Sequence, residues 1–232
     1  MRLLTPFEFI EMFPEGKSLI FVGNAPSLKG ERLGEWIDSH DVVVRFNACP
    51  LKEYAEDVGT RTGILVTNPY PEERPKLSLT GVSPRAVLVI TPQTRRGNYR
   101  EFEVWAEDLS ILFTYTPDLV GVEGADHKAG LTTGAYSLQL LPRLLKPCSV
   151  SITGFTMFMK TSACHYWSSV TPSGLRAHDM EVESKLFINL SNRLHCPVVV
   201  TEEIAWVSRR IGMNLRKKDL IVRRLRNQEW SL

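Results

Sequence analysis

Short apolar runs separated by polar, turn-forming stretches recur along the chain: Leu19–Val22, Val42–Phe46, Ile64–Val66, Ala86–Ile90, Ile111–Phe113, Ser149–Ile152 and Val198–Val200. Runs this short, rich in Val and Ile and lacking strict alternation, read as strands covered on both faces, as in a parallel sheet. The intervals between them are long enough for crossover connections. Helical spacing is legible in two places. Thr5-Pro6 followed by Phe7, Phe9, Ile10 and Phe13 predicts a short capped helix that ends at Pro14 and Gly16. Leu131-Thr-Thr-Gly134 opens a longer one through Leu138, Leu141, Leu144 and Leu145, with Pro142 expected to kink it. A further short helix is expected near Glu31–Ile37. Leu19 to Phe46 is then a strand-turn-helix-strand unit without the GxGxxG fingerprint, so no dinucleotide is implied.

In an open α/β sheet, ligands lie outside the carboxyl ends of the strands. Two predicted strands end there in asparagine, Asn24 and Asn47, whose amides would hang over one crevice. Asn also suits left-handed turns, and a lone Asn after a strand is more often such a turn residue. The loops Asn68-Pro-Tyr-Pro71 and Thr91–Asn98 begin at strand ends too, as acceptor contacts or as solvated connectors. The helix start at Thr132, Thr133 and Gly134 offers free N–H groups to an anion, or is an ordinary threonine cap.

The stretch from Cys164-His-Tyr-Trp-Ser168 to His178-Asp-Met-Glu-Val-Glu183 brings two histidines into a loop leading to a helix, with Asp179 as its N-cap. At that place the helix dipole favours neutral imidazole, which suits His178 to be a general base; a lone histidine there more often serves structure. Glu183 follows five residues later, about 140° around a helix, so it is expected to support the helix start or the loop before it rather than to orient His178.

Composition adds bounds. The 232 residues, 43% of them hydrophobic, suffice for one large domain. The four cysteines lack metal-ligand spacing and read as reduced thiols. The amino terminus, broken by Pro6, Glu8 and Glu11, is neither a signal peptide nor a membrane span, which makes a bacterial cytoplasmic enzyme the simplest setting. Basicity is local. Eight basic residues from Arg209 to Arg226 face one acid, Asp219, so the remainder is net acidic. This tail mixes Ile211, Leu215, Leu220, Ile221, Val222 and Leu225 with positive charge, as an interfacial helix does, or as a solvated helix packed on the domain would. The chain divides accordingly into a domain at 1–208 and a basic segment at 209–232, part of the same domain. An acidic remainder without a nucleic-acid motif argues against nucleic acid as partner.

Four segments, in order, resemble the sialyltransferases of glycosyltransferase family 29. Val22-Gly-Asn-Ala-Pro-Ser-Leu, Ile37-Asp-Ser-His-Asp-Val-Val-Val-Arg-Phe-Asn47 and Asp57-Val-Gly-Thr-Arg-Thr62 are similar to the family's long motif. Leu131-Thr-Thr-Gly134 to Ile152-Thr-Gly-Phe155 is similar to the short motif, His165-Tyr-Trp to the third, and His178 with Glu183 to the final HxxxxE. The resemblance implies a short bacterial-type member with a single-domain, Rossmann-like variant of the GT-A fold, its central sheet mostly parallel and flanked by helices. It implies an inverting transferase that moves sialic acid from CMP-sialic acid to a hydroxyl of a glycan or glycolipid, such as a lipopolysaccharide or capsule precursor. By the same resemblance Asn24 and Asn47 contact the nucleotide, and Thr132, Thr133, Gly134 and Gly154 shape the nucleotide and donor site. His165 stabilises the leaving phosphate and His178 deprotonates the acceptor.

No metal or other cofactor is expected: the family works without a divalent ion, and the chain has no Asp-x-Asp after a strand. Departures from the family pattern also matter. Leu19 stands where relatives carry the first cysteine of a disulfide, and Cys148 lies near the place of the second. Leu-Thr-Thr-Gly replaces Pro-Ser-Thr-Gly, leaving CMP-Kdo open as donor. A non-catalytic CMP-sugar or nucleotide-binding protein on the same scaffold is the remaining alternative. A cytoplasmic location, peripheral on the inner face of the membrane through the basic segment, would suit a lipid-linked acceptor.

Overall fold

The computed structural model describes residues 1–70, 74–91, 99–115, 131–159, 165–168 and 178–226. Its centre is β2 (Ser18–Val22), flanked by β3 (Val42–Phe46) on one side and β7 (Ser149–Thr153) on the other. Around these, the strands β1 (Arg2–Leu3), β4 (Ile64–Thr67), β5 (Ala86–Thr91), β6 (Ser110–Tyr115), β8 (Val198–Thr201) and β9 (Leu220–Arg223) complete one nine-stranded sheet. The order is β1-β6-β5-β4-β3-β2-β7-β8-β9, and every described pair is parallel. All seven apolar runs are strands.

The helices are α1 (Pro6–Met12), α2 (Gly34–Asp38), α3 (Ala55–Val58), α4 (Leu77–Thr80), α5 (Tyr99–Trp105), α6 (Thr133–Leu145), α7 (Met180–Arg193) and α8 (Glu202–Arg210). Alternate residues of the inner strands β2 to β5 feed two cores, which is why those runs are largely apolar. Leu19, Phe21, Val44, Val66, Val150 and Ile152 pack with residues of α1, α6 and α7. Ile20, Val22, Val43, Leu65 and Val87 pack on the opposite face with Ile37, Val58, Phe102 and Trp206.

Local chemistry sets several helix ends. Thr5 and Glu8 close a reciprocal capping box on α1. The Thr132 hydroxyl accepts the Ala135 N–H at α6, and Asp179 accepts the Val182 N–H at α7. Pro142 lies within the last turn of α6, which runs without interruption to Leu145.

The chain builds outward from β2 to β6, then returns to add β7 on the other side of β2. The connections therefore diverge between the carboxyl ends of β2 and β7, where an open α/β sheet leaves a crevice.

The basic tail differs from the expected interfacial helix. Its apolar residues from Leu220 onward form β9, an edge strand on β8, and Leu225 is buried. The Leu225 N–H donates to Glu202, and the Arg226 N–H to Glu31. An alternation of apolar and basic residues fits an edge strand as well as an amphipathic helix, and the backbone of β8 supplied the partner that decided between them. The boundary at 208 falls inside α8. Residues 227–232 of the tail lie outside the described residues. Cys49, Cys148 and Cys196 are free thiols, and Cys164 also lies outside the described residues, as do 92–98 of the loop after β5 and Pro71 of the loop after β4. No helix among the described residues is long and apolar enough to cross a membrane.

Candidate functional site

Two glycines let the strand ends meet. The Gly23 N–H donates to Thr153 O at 2.8 Å, and the Ala25 N–H to Gly154 O at 3.0 Å, so the turns after β2 and β7 are stitched together. A Cβ on Gly23 would lie 2.1 Å from Gly154 O. Gly154 itself is left-handed, with φ of 76°, a region glycine enters without strain. Gly134 is needed for a similar reason, since a Cβ there would lie 2.9 Å from the Phe155 ring. Gly134 and Gly154 thus permit close packing of α6 and of the β2 and β7 turns.

Asn24 and Asn47 stand at the ends of the neighbouring strands β2 and β3, and each serves the scaffold. The Asn24 amide nitrogen donates to Phe46 O at 2.8 Å and to Ala48 O at 3.3 Å, tying the end of β2 to that of β3. Asn47 is left-handed, with φ of 49°. Its amide nitrogen donates to Thr133 Oγ1 at 3.5 Å, while its buried Oδ1 has no hydrogen-bonding partner among the described residues. One helix residue earlier, the Thr132 N–H donates to Glu183 Oε2 at 2.9 Å.

Glu183 corrects an expectation. Its carboxylate does support a helix start, that of α6, but its other oxygen lies 3.1 Å from His178 Nδ1. The 140° separation applies only to residues on one helix, and His178 precedes the cap Asp179, so the chain turns the imidazole back over the first turn of α7. Glu183 is 2% exposed at its side chain and His178 27%, which leaves the histidine reachable from solvent and its carboxylate shielded. The result is a continuous line from Asn47 through Thr133, Thr132 and Glu183 to His178, assembled from β3, α6 and α7.

His165 reaches the other side of the same turns. A tight turn pairs His165 with Ser168 through two backbone bonds of 3.3 Å, and the Tyr166 N–H between them donates to Asn24 O at 3.1 Å. The His165 ring stacks on Trp167 at 4.6 Å, and the Tyr166 hydroxyl donates to Pro50 O at 2.9 Å. Burial pushes the Tyr166 phenol up, so it acts as a neutral donor. Residues 160–164 and 169–177, which flank this turn, lie outside the described residues.

Sequence reasoning missed several polar groups that hold the framework together. Arg45, inside the Val42–Phe46 run, is 1% exposed and donates to Val58 O at 2.6 Å and Arg61 O at 2.9 Å; burial lowers its pKa. Asp57 accepts the N–H groups of Gly30 and Arg32, and Asp38 those of Thr60 and Arg61. Much of the long motif is therefore a framework that holds loops beneath the crevice. A charge within a buried strand was the available signal for Arg45. Burial pushes the nearby Cys49 thiol up to about 12, against reactivity. Glu203, fully buried at the start of α8, accepts the Gly154 N–H. No three His, Cys, Asp or Glu side chains among the described residues converge as metal ligands.

Residues 17–99 match the profile of Glycosyltransferase family 29 (sialyltransferase). Part of the chain is 40% identical over 68 residues to human beta-galactoside alpha-2,6-sialyltransferase 2, covering 29% of this chain and 13% of that relative. Another match, to the Xenopus tropicalis alpha-N-acetylneuraminide alpha-2,8-sialyltransferase, is 55% identical over 49 residues, or 21% of this chain and 14% of that relative. The chain thus aligns with only a small part of these curated relatives, and both are animal proteins rather than bacterial ones. A mammalian sialyltransferase crystallised with Gal-beta-1-3GalNAc-ortho-nitrophenol has the same fold, with a TM-score of 0.56 at 23% identity over 79% of this chain and 69% of that one. The sequence resemblance to glycosyltransferase family 29 therefore covers residues 17–99, and the likeness in fold to that mammalian sialyltransferase covers most of the chain.

Proposed function

We propose that the protein is an inverting glycosyltransferase that moves sialic acid, or a related sugar acid, from its CMP conjugate to a hydroxyl of a glycan or glycolipid. The observation that carries this is the line from Asn47 to His178 at the mouth of the β2–β7 crevice, where a histidine backed by a buried carboxylate meets a helix amino terminus.

The chemistry follows from charge. As the phosphate leaves, the anomeric carbon becomes oxocarbenium-like, and the acceptor hydroxyl must lose its proton. The Glu183 carboxylate, 3.1 Å from Nδ1, favours a proton on that nitrogen by its charge, so Nε2 of His178 is the atom that takes the acceptor proton. The first N–H groups of α6, at Thr133 and Gly134, and the His165 ring serve the departing phosphate. With both Asn24 amide hydrogens spent on Phe46 and Ala48, its Oδ1 meets the nucleotide, and the unpartnered Asn47 Oδ1 is a second acceptor for it. These dipoles and His165 stand in for a divalent ion. The exposed Arg216, Lys218 and Arg224 around β9 suit an anionic membrane surface that presents the acceptor.

Leu-Thr-Thr-Gly at the start of α6, in place of Pro-Ser-Thr-Gly, leaves a second donor, CMP-Kdo, open on the same machinery. Incubation with CMP-sialic acid or CMP-Kdo and a panel of glycan acceptors, with and without chelator, separates the readings. CMP release with a matching gain in acceptor mass, unchanged by chelator, is expected. Release from neither donor refutes the transferase, and CMP binding without release would identify a nucleotide-binding protein.

A further inference from the structure

Beneath the stitched turns lies a buried acid that the proposed chemistry does not use. Glu203 follows β8 directly and is wholly removed from solvent. Its Oε1 accepts the Gly154 N–H at 2.6 Å and the Thr201 hydroxyl at 2.6 Å, and that hydroxyl lies 2.9 Å from Thr153 Oγ1. Its Oε2 has no hydrogen-bonding partner among the described residues. On the opposite side of the same glycine, Gly154 O accepts the Ala25 N–H, and Gly23 donates to Thr153 O. Gly154 is thus held from both sides, by a carboxylate on its N–H and by the Asn24 turn on its carbonyl.

We propose that Glu203 is a positioning residue for the nucleotide end of the crevice: its ionised carboxylate clamps Gly154 and, through Gly154, the Gly23-Asn24-Ala25 turn, so that protonation of Glu203 loosens that turn and weakens nucleotide binding. The proposal rests on the crevice being a CMP-sugar site. A charge-assisted bond to an N–H is stronger than a neutral one, and here its N–H belongs to the residue that touches the ligand-bearing turn. Burial raises the carboxyl to about 7, Glu31 across the β2–α2 loop adds a like charge, and the bonds from Thr201 and Gly154 oppose both. Glu31 is the charged group that faces Glu203 from a neighbouring element, and it receives the Arg226 N–H. The clamp therefore changes state within the physiological range.

The test compares wild type with Glu203→Gln, which keeps an acceptor for Gly154 but never ionises. CMP affinity is measured by calorimetry between pH 5.5 and 8.5, the ratio of the two proteins cancelling the titration of CMP and of the histidines. Wild type should bind about threefold to tenfold more tightly than Glu203→Gln above pH 7.5, the difference between a charged and a neutral hydrogen bond, and no more tightly near pH 5.5. In parallel, the Gly154 amide proton of wild type should titrate by NMR with a midpoint near neutrality, a measurement that needs neither variant nor ligand. A flat affinity ratio while wild type binds CMP overturns the proposal alone, as does a Gly154 amide that does not titrate. Absence of CMP binding by wild type overturns the nucleotide reading and the proposal with it.

Discussion

Replacing Gly23 by alanine tests whether the close approach of the β2 and β7 turns builds the crevice. The added Cβ would lie 2.1 Å from Gly154 O, 2.8 Å from Gly154 C and 3.0 Å from Phe155 Cδ2. Because two of these neighbours are backbone, no rotamer change relieves the overlap, and the turns must part by about 1 Å to restore van der Waals separation. That movement strains or breaks the Gly23–Thr153 and Ala25–Gly154 hydrogen bonds, each contributing about 1 kcal/mol net, and adds an overpacking cost of about 1–3 kcal/mol. The expected loss is about 3–5 kcal/mol, or a fall in Tm of roughly 10 °C for a chain of this size. Gly16→Ala is the control. Gly16 has φ of 77° but nothing within 4 Å, so it should show only the left-handed backbone cost of about 1–2 kcal/mol. Differential scanning fluorimetry reads the first effect, and calorimetry with CMP should show binding lost only in Gly23→Ala. If Gly23→Ala melted with Gly16→Ala and bound CMP like wild type, the stitched turns would not be what shapes the site.

Other consequences follow from the same geometry. His178→Ala should abolish transfer while leaving CMP affinity nearly intact, and surviving transfer in a mass-based assay would remove His178 as the base. Glu183→Gln retains an acceptor for the Thr132 N–H but not the charge beside Nδ1, so kcat should fall on the order of 10²-fold with CMP affinity unchanged; an unaltered kcat would leave Glu183 only a helix support. Because the Glu203 carboxyl is raised from 4.5 to about 7, its contribution to stability is fully present below pH 4.5 and is lost as pH rises through 7. Wild type should therefore lose up to roughly 3 kcal/mol relative to Glu203→Gln between pH 4.5 and 8, and parallel stability curves would count against a buried charge. Reversing Arg216, Lys218 and Arg224 to glutamate should reduce cosedimentation with phosphatidylserine vesicles by tenfold or more and spare transfer to a soluble acceptor. Unchanged cosedimentation would dismiss the membrane contact. Truncation at Arg216 is a poorer test, since it removes β9 and the buried Leu225.

The sequence alone determined what short-range chemistry decides. Short, largely apolar runs specified seven strands, and Thr5, Thr132 and Asp179 marked helix starts, because a cap is satisfied by N–H groups two or three residues away. The four motif segments were also legible as an ordered likeness. Tertiary structure decided where those pieces meet. The return of β7 to the side of β2 joins Gly154 to Gly23, and nothing near either glycine announces the other. The tail had two local solutions, and β8 selected the strand. His178 and Glu183 were kept apart by a helical rule that applies only within a helix, yet His178, two residues before α7, comes to 3.1 Å from Glu183. Glu203 gave no signal at all, since an acid at the start of a helix usually faces water and its burial depends on turns from β2 and β7, about 50 and 180 residues earlier. Caps and strands are satisfied within their own segment, whereas the polar partners of the site come from segments far apart in the chain, so only the assembled sheet could pair them.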